Sequence, residues 1–314
     1  MPLIRSLDAL PEALKHGAVT IGNFDGVHRG HAELIQRLVA EAKAIDGPAV
    51  VFTFDPHPTN LLRPHEAPPP LTWTERKAEL LEEMGVAATI AYPTDLGLLD
   101  LTPQQFFQKI IIDGLAARVM VEGPNFCFGR GRSGTIETLA ALCRDGQVTL
   151  HVVPPVVMDG QIVSSSRVRQ ALEAGDVQLA GDLLGRPYRL RGKVVAGAHR
   201  GATLGFPTAN LDQIDTLIPG VGVYAGWAWH GTSPWPAAVH IGPNPTFGEH
   251  ARKVEVHLID FADDLYDQTL HVDFLARLRE VRPFASVEAL KGQLARDVQA
   301  ARKLAARGPV PRSG

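Results

Sequence analysis

Cysteine is almost absent from this 314-residue chain: Cys127 and Cys143 stand alone, at no metal-ligand spacing. That excludes a disulfide scaffold and a cysteine-based zinc site, suits a reducing compartment and leaves both thiols as packing residues. No window approaches the ~20 apolar residues of a membrane-spanning helix. The N-terminus, with Arg5 and Asp8 but no apolar core, does not read as a signal peptide, so the expected location is the cytoplasm. An excess of one charge is lacking too. The net charge is −3 with acids and bases interspersed, so neither a nucleic-acid nor a membrane partner is expected and any phosphate site must be local. Internal repeats and coiled-coil heptads are also missing.

What is present is 45% apolar residues in a length that suits about two domains of ~150 residues each. From Ala18 to Val163, short apolar runs such as Val19-Thr20-Ile21 and Val50-Val51-Phe52 alternate with segments of helical period, which predicts βαβ units on a parallel sheet. A helix after His31 would bury Leu34, Ile35, Leu38, Val39 and Ala42. Thr72 to Glu75 has capping-box spacing, Thr102-Pro103 supplies a cap and first-turn proline, and the proline-rich residues 56 to 70 predict a long irregular loop. After Gly185-Arg186-Pro187 the texture changes to short β-rich runs broken by Gly and Pro, which suit a small closed or nearly closed barrel. A terminal helix capped by Ser286 follows, with Val287, Leu290, Leu294 and Val298 as its apolar stripe, and then a frayed tail from Gly308.

Gly22-Asn23-Phe24-Asp25-Gly26-Val27-His28-Arg29-Gly30-His31 lies between the first strand and the first helix. Gly26 and Gly30 permit close backbone approach to a phosphate, the helix start offers unpaired N–H groups, and two imidazoles are presented together. Attack on the α-phosphate of ATP needs such donors, because charge grows on the phosphate oxygens. A polar turn with two solvated histidines is the alternative that a lone His-x-x-His would favour. Ser164-Ser165-Ser166-Arg167-Val168-Arg169, following a hairpin turn at Asp159-Gly160, sets hydroxyls at a helix start with Arg169 one turn in, a receptor for the same phosphates or a simple cap. Gly123 to Arg132, with Phe126, Phe128, Arg130 and Arg132, reads equally as a basic lid or a solvated loop.

In the second half, the stretch from Gly197 to Asn210 is glycine-rich, with Gly201 and Gly205, but lacks a Walker ending. Thr208 and Asn210, two residues apart on an extended segment, can reach one Mg²⁺ on ATP; a turn cluster is the plainer reading. Period-two alternation over Val254 to Ile259 puts Glu255 and His257 on one face, where Glu255 can serve as general base for a primary alcohol or stand as an exposed strand glutamate.

These residues resemble the nucleotidylyltransferases with a His-x-Gly-His signature, and more closely the bacterial bifunctional riboflavin kinase/FMN adenylyltransferases (FAD synthetases). The likeness rests on Gly22 to His31, Phe52 to Pro58, Phe126 to Arg132 and Ser164 to Arg169. In the second half it rests on Gly205 to Asn210, Ile241-Gly242 with Pro245-Thr246-Phe247, and Glu255 to Phe261. It implies an α/β Rossmann-like nucleotidylyltransferase domain (1–184), a small antiparallel β-barrel riboflavin kinase domain with a C-terminal helix (185–307) and a flexible tail (308–314). His28 and His31 would stabilise the ATP phosphates and Ser164, Ser165, Ser166 and Arg169 would bind them, within a nucleotide–flavin site that also takes in Gly22, Asn23, Phe24, Asp25, Gly26, Gly30 and Asn125. Asp55, His57 and Pro58 would border the flavin. In the barrel, Gly197, Gly205 and Pro207 would line the ATP site, Thr208 and Asn210 would hold its Mg²⁺, and Glu255 would deprotonate the ribityl 5′-hydroxyl.

The substrates implied are ATP, riboflavin and FMN, with FAD as product, acted on by a monomer or weak homo-oligomer that can hand flavin to apoflavoproteins. The family usually has Asp at Asn125, Asn at His240, a basic residue at Asn244 and Gly at Asp267. Alternatives are a monofunctional FMN adenylyltransferase with an inactive kinase-like barrel, and a non-enzymatic flavin-binding protein.

Overall fold

The computed structural model describes residues 2–197, 200–244, 249–306 and 308, with the backbone course alone for 200, 244 and 249–251. Two compact units result, Met1–Pro68 with Thr72–Ser164, and Pro69–Leu71 with Ser165–Gly314. The first contains β1 (Leu3–Ile4), β2 (Ala18–Ile21), α1 (Arg29–Ala44), β3 (Ala49–Asp55), α2 (Pro58–Leu62), α3 (Thr74–Glu83), β4 (Ala88–Pro93), α4 (Leu96–Leu99) and α5 (Pro103–Phe106). It continues with β5 (Val119–Glu122), α6 (Ile136–Asp145), β6 (Thr149–Val152) and the hairpin of β7 (Val157–Met158) and β8 (Gln161–Ile162).

The six-stranded sheet runs β1-β4-β3-β2-β5-β6 with every pairing parallel, as the alternating pattern predicts. Both faces are covered, which is why its strands read as unbroken apolar runs. Val50 and Phe52 of β3 join one core with Ile110 and Ile111, while Val51 joins the other with Ile35, Leu38 and Leu81. Strand order reverses between β2 and β5, and such a switch point opens a crevice at the carboxyl ends of the strands. The Gly22–His28 loop leaves β2 at that crevice.

Several local expectations are met. Thr102 caps α5 reciprocally with Gln105, and Pro103 occupies the first turn before the helix runs on as a π-helix to Gly114. Asp159 and Gly160 have φ of 51° and 73° in the tight turn between β7 and β8. Others are corrected. α1 begins at Arg29, so His31 lies inside it. The proline-rich loop contains α2, because Pro58 sits where a helix needs no N–H and the His57 ring caps it. Thr72 and Glu75 form no capping box: α3 starts without a side-chain cap, the Thr72 N–H donates to Asp25 at 3.1 Å, and the Thr74 hydroxyl donates to Asp55 at 3.2 Å.

The second unit contains α7 (Ser165–Glu173) and α8 (Val177–Leu184) together with the barrel that follows. Its strands are β9 (Tyr188–Val195), β10 (Ala209–Asp212), β11 (Gly222–His230), β12 (Ser233–Asn244), β13 (Glu249–Leu258) and β14 (Thr269–Arg279), with α9 (Arg200–Thr203) and the terminal α10 (Val287–Ala305). They close as β10-β13-β12-β11-β14-β9, and closure leaves no strand edge open to another chain. Ser286 caps α10, donated to by the Ala289 N–H at 3.1 Å. Of the expected stripe on α10, Leu290, Leu294 and Val298 are half-buried, with Val298 packed beside the buried Ala301, while Val287 is 45% exposed; the fully buried residues are Asp297, Ala301 and Ala305. Asp297 is drawn in because Arg279 of β14 grips its carboxylate with two nitrogens, at 3.0 and 2.8 Å, so a charged residue occupies an apolar position.

Candidate active sites

In the first unit, His28 is the N-cap of α1 and His31 its third residue, and each ring caps the other's backbone. The His31 N–H donates to His28 Nδ1 and the His28 N–H to His31 Nδ1, both at 3.3 Å. The rings stack with centroids 3.6 Å apart and planes 15° from parallel. Because both Nδ1 atoms accept, a neutral ring at either position carries its proton on Nε2, which sets imidazole N–H groups at a helix start. Gly30 lies in close approach, since a Cβ there would sit 3.1 Å from the His28 ring and 3.4 Å from the Val163 carbonyl, tighter than ordinary contact. Gly26 has φ of 83°, and Phe24 and Val27 are also left-handed at 46° and 41°. For a β-branched residue this conformation is costly, and such strain persists where surrounding structure over-determines a functional loop. Gly22 packs on the Phe24 ring, and the buried Asn23 Oδ1 has no hydrogen-bond partner among the described residues.

Around this loop the expected flavin-side residues are anchored. Asp55 accepts from Arg5 at 2.7 Å and from Thr74, and His57 Nδ1 accepts from the Thr59 N–H at 3.1 Å, with Pro58 as the next residue. Asp25 is buried under the Thr72 N–H. Asn125 is exposed in a turn after β5. The Gly123–Arg132 loop is pinned rather than loose at its centre, by stacking of Phe126 on Phe128 at 5.4 Å and by pairing of Phe128 with Gly134.

Two charged groups escaped the sequence reading. Lys77, on α3, is 7% exposed and stands where the helical period that buries Leu80 and Leu81 calls for an apolar residue; that mismatch was the available signal. Glu122 ends β5 at 2% exposure and accepts the Ile21 N–H at 2.7 Å, beyond the point where β2 and β5 stop pairing. Burial pushes its carboxyl well above the usual value of 4.5. A raised acid costs no stability below that value, and stability falls as pH climbs from there through the folded value. Glu122→Gln keeps an oxygen for Ile21 but cannot ionise. The stability advantage of Glu122→Gln is therefore expected to be flat near pH 4 and to grow with pH by at most about 1.4 kcal/mol per unit. Urea unfolding of both proteins from pH 4 to 8 checks this, and a wild type that gains on the variant with pH contradicts a neutral Glu122. Cys143 lies in the same core, its thiol pushed up to about 12 by burial, as suits a packing residue.

Ser164 ends the first unit, whereas Ser165, Ser166 and Arg169 lie on α7 in the second. Arg169 Nε donates to the Pro69 carbonyl at 3.0 Å.

The barrel brings its own set together. Asn210 on β10 is the register partner of Glu255 on β13, which in turn faces His240 on β12, so the three share one row of one sheet face. His240 Nδ1 lies 3.5 Å from Glu255 Oε2. Val254, Val256 and Leu258 point to the other, buried face, as the alternation predicts. A Cβ on Gly197 would come within 2.0 Å of the Asn210 amide, and one on Gly201 within 3.2 Å of the Thr208 hydroxyl, so these glycines let backbone wrap both side chains. Gly205 has φ of 86°. The Pro207 carbonyl accepts from His257 Nδ1 at 2.7 Å, a contact that the sequence did not suggest. Asp267 takes the left-handed turn at φ 61° in spite of its side chain, and Lys193 pairs with its carboxylate at 2.8 Å. Pro245-Thr246-Phe247 and the Asn244 side chain lie outside the described residues.

Two family models match this chain, FAD synthetase over residues 10–167 and riboflavin kinase over residues 184–305. The bifunctional riboflavin kinase/FMN adenylyltransferase of Pseudomonas fluorescens is 39% identical over 307 residues, covering 98% of both chains. That of Escherichia coli K12 is 37% identical over 96% of this chain and 97% of its own, and that of Bacillus subtilis 33% over 93% of each. A crystal structure from Streptococcus pneumoniae described as a macrolide-efflux protein superposes with a TM-score of 0.85 at 32% identity, covering 96% of this chain and 98% of its own. Such a description belongs to that protein; among the described residues here no helix is long and apolar enough to cross a membrane. With both halves matched in order and nearly the whole length covered, the chain belongs to the bifunctional riboflavin kinase/FMN adenylyltransferase family.

Proposed function

We propose that this chain makes FAD from riboflavin with two ATP-dependent sites, an adenylylating one built on the Gly22–His31 loop and a phosphorylating one in the barrel. The observation that carries the adenylylating site is the mutual capping of His28 and His31. An FMN phosphate oxygen attacks the α-phosphorus of ATP, a P–O bond forms and pyrophosphate leaves with the electrons of the broken bond. The two Nε2–H donors, held before the reaction begins, meet the charge that grows on the phosphate oxygens. Ser164, Ser165, Ser166 and Arg169 bind the triphosphate in this reading, and Asp55 to Pro58 border the flavin. Arg169→Ala is expected to raise the KM for ATP in FMN adenylylation about tenfold or more while the KM for FMN holds. Kinetics with each substrate varied separately check it, and a defect confined to FMN places Arg169 on the wrong substrate.

In the barrel, Glu255 takes the proton of the ribityl 5′-hydroxyl as that oxygen attacks the γ-phosphorus and ADP leaves. Thr208 and Asn210 supply a hydroxyl and an amide oxygen, donors that fit Mg²⁺ alongside phosphate oxygens. When bound, Mg²⁺ neutralises charge on the phosphates. Gly197, Gly201 and Gly205 let the backbone approach the nucleotide, and the bond from His257 to Pro207 holds the segment that carries Thr208. The functional division at 184/185 is part of the proposal and is supported by the start of the riboflavin kinase match at residue 184; of the expected tail, residues 309–314 lie outside the described residues. Cytoplasmic action as a monomer or weak homo-oligomer, with hand-over of FAD to apoflavoproteins, belongs to the same reading. Incubating the purified chain with riboflavin and Mg-ATP, and separating FMN from FAD by chromatography, tests it. FAD from supplied FMN without FMN from riboflavin would leave a monofunctional adenylyltransferase.

A further inference from the structure

Lys77 carries the clearest unexplained charge in the first unit. Its side chain is 7% exposed, and taking an ammonium out of water costs several kcal/mol unless other groups offset it. Nζ donates to Thr53 Oγ1 at 3.3 Å, and the fully buried Thr53 hydroxyl donates onward to the Asn23 carbonyl at 3.1 Å. A line of donors thus runs from α3 through β3 into the loop that carries His28. Burial pulls the ammonium below the ordinary lysine value, and the Asp25 and Asp55 carboxylates act in the opposite sense. Those two carboxylates are themselves fixed, Asp25 by the Thr72 N–H and Asp55 by Arg5 and Thr74. Asp25 lies within the loop that would receive a polyphosphate and Asp55 beside it, where their charge repels the ligand unless cations offset it; Arg5 does so at Asp55, at 2.7 Å, and Lys77 adds a buried ammonium.

We infer that Lys77 is a positioning residue of the adenylylating site: its hydrogen bond through Thr53 holds the Asn23 carbonyl of the Gly22–His31 loop, and its charge, with that of Arg5, offsets Asp25 and Asp55. The inference rests on that loop being the triphosphate receptor.

The test uses the full chain with Lys77→Met, which removes charge and donor at similar length, and Lys77→Gln, which keeps a donor without charge. His28→Asn serves as reference. Both Lys77 variants are expected to raise the KM for ATP in FMN adenylylation about tenfold, as lost charge weakens ground-state binding. Lys77→Met should in addition lose about tenfold in kcat, since a loop displaced by 1 Å can cost up to ~10². Lys77→Gln should keep most of its kcat. Riboflavin phosphorylation by the same molecules should not change. An unaltered ATP KM in both variants overturns the inference, and so does a joint loss of both activities with a lower melting temperature, which would make Lys77 structural. Full adenylylation by His28→Asn would instead remove the site reading beneath it, so the two failures are told apart.

Discussion

Asparagine at His28 or glutamine at His31 is expected to lower FMN adenylylation by about 10²–10³ while riboflavin phosphorylation continues. The choice of substitution follows from the mutual capping of the two rings. Alanine at His28 would remove the N-cap of α1 and about 1 kcal/mol of helix stability along with the chemistry. Asparagine is among the best N-cap residues, and glutamine at the third helical position can reach back to the N-cap N–H. Each variant therefore keeps its half of the cap but lacks the Nε2–H that the phosphates need. Comparing turnover of FMN to FAD with turnover of riboflavin to FMN in one preparation, alongside melting curves, separates the two effects. Equal loss of both activities would defeat the assignment of two sites, and wild-type adenylylation in His28→Asn would remove the imidazole from the mechanism.

Glu255→Gln should abolish riboflavin phosphorylation, by about 10²–10⁴ in rate, and leave FMN adenylylation intact. The amide is nearly isosteric with the carboxylate and still packs between Asn210 and His240 in their shared row, but it cannot accept the hydroxyl proton. Folding is thus held constant while the proton acceptor is lost. FMN formation followed by chromatography, with circular dichroism as the check on fold, gives the answer. If the variant keeps more than about a tenth of wild-type phosphorylation, Glu255 is not the base that general acid–base catalysis requires. The departure at His240 makes the row worth probing in its own right, because an imidazole 3.5 Å from the carboxylate stands where the family usually places an amide.

The sequence by itself determined the features that rest on neighbours along the chain: the parallel alternation between Ala18 and Val163, the Asp159-Gly160 turn, the Ser286 cap, and the inside–outside order of Val254 to Leu258. These follow from backbone period and local hydrogen bonding, which a few adjacent residues specify. Two imidazoles at the start of the first helix were legible in the same way, as were Thr208 with Asn210. Only the tertiary structure decided how they are held. Thr72 and Thr74 look like cap residues in sequence, yet Asp25 from the loop after β2 and Asp55 from the end of β3 capture their hydrogen-bonding groups. Asp297 occupies the apolar face of α10 because Arg279 meets it there, and the buried Lys77 ammonium is met by the Thr53 hydroxyl of β3. A charge buried against its helical or strand period is stabilised by partners tens of residues away, so its place is settled when the elements pack and no local pattern encodes it.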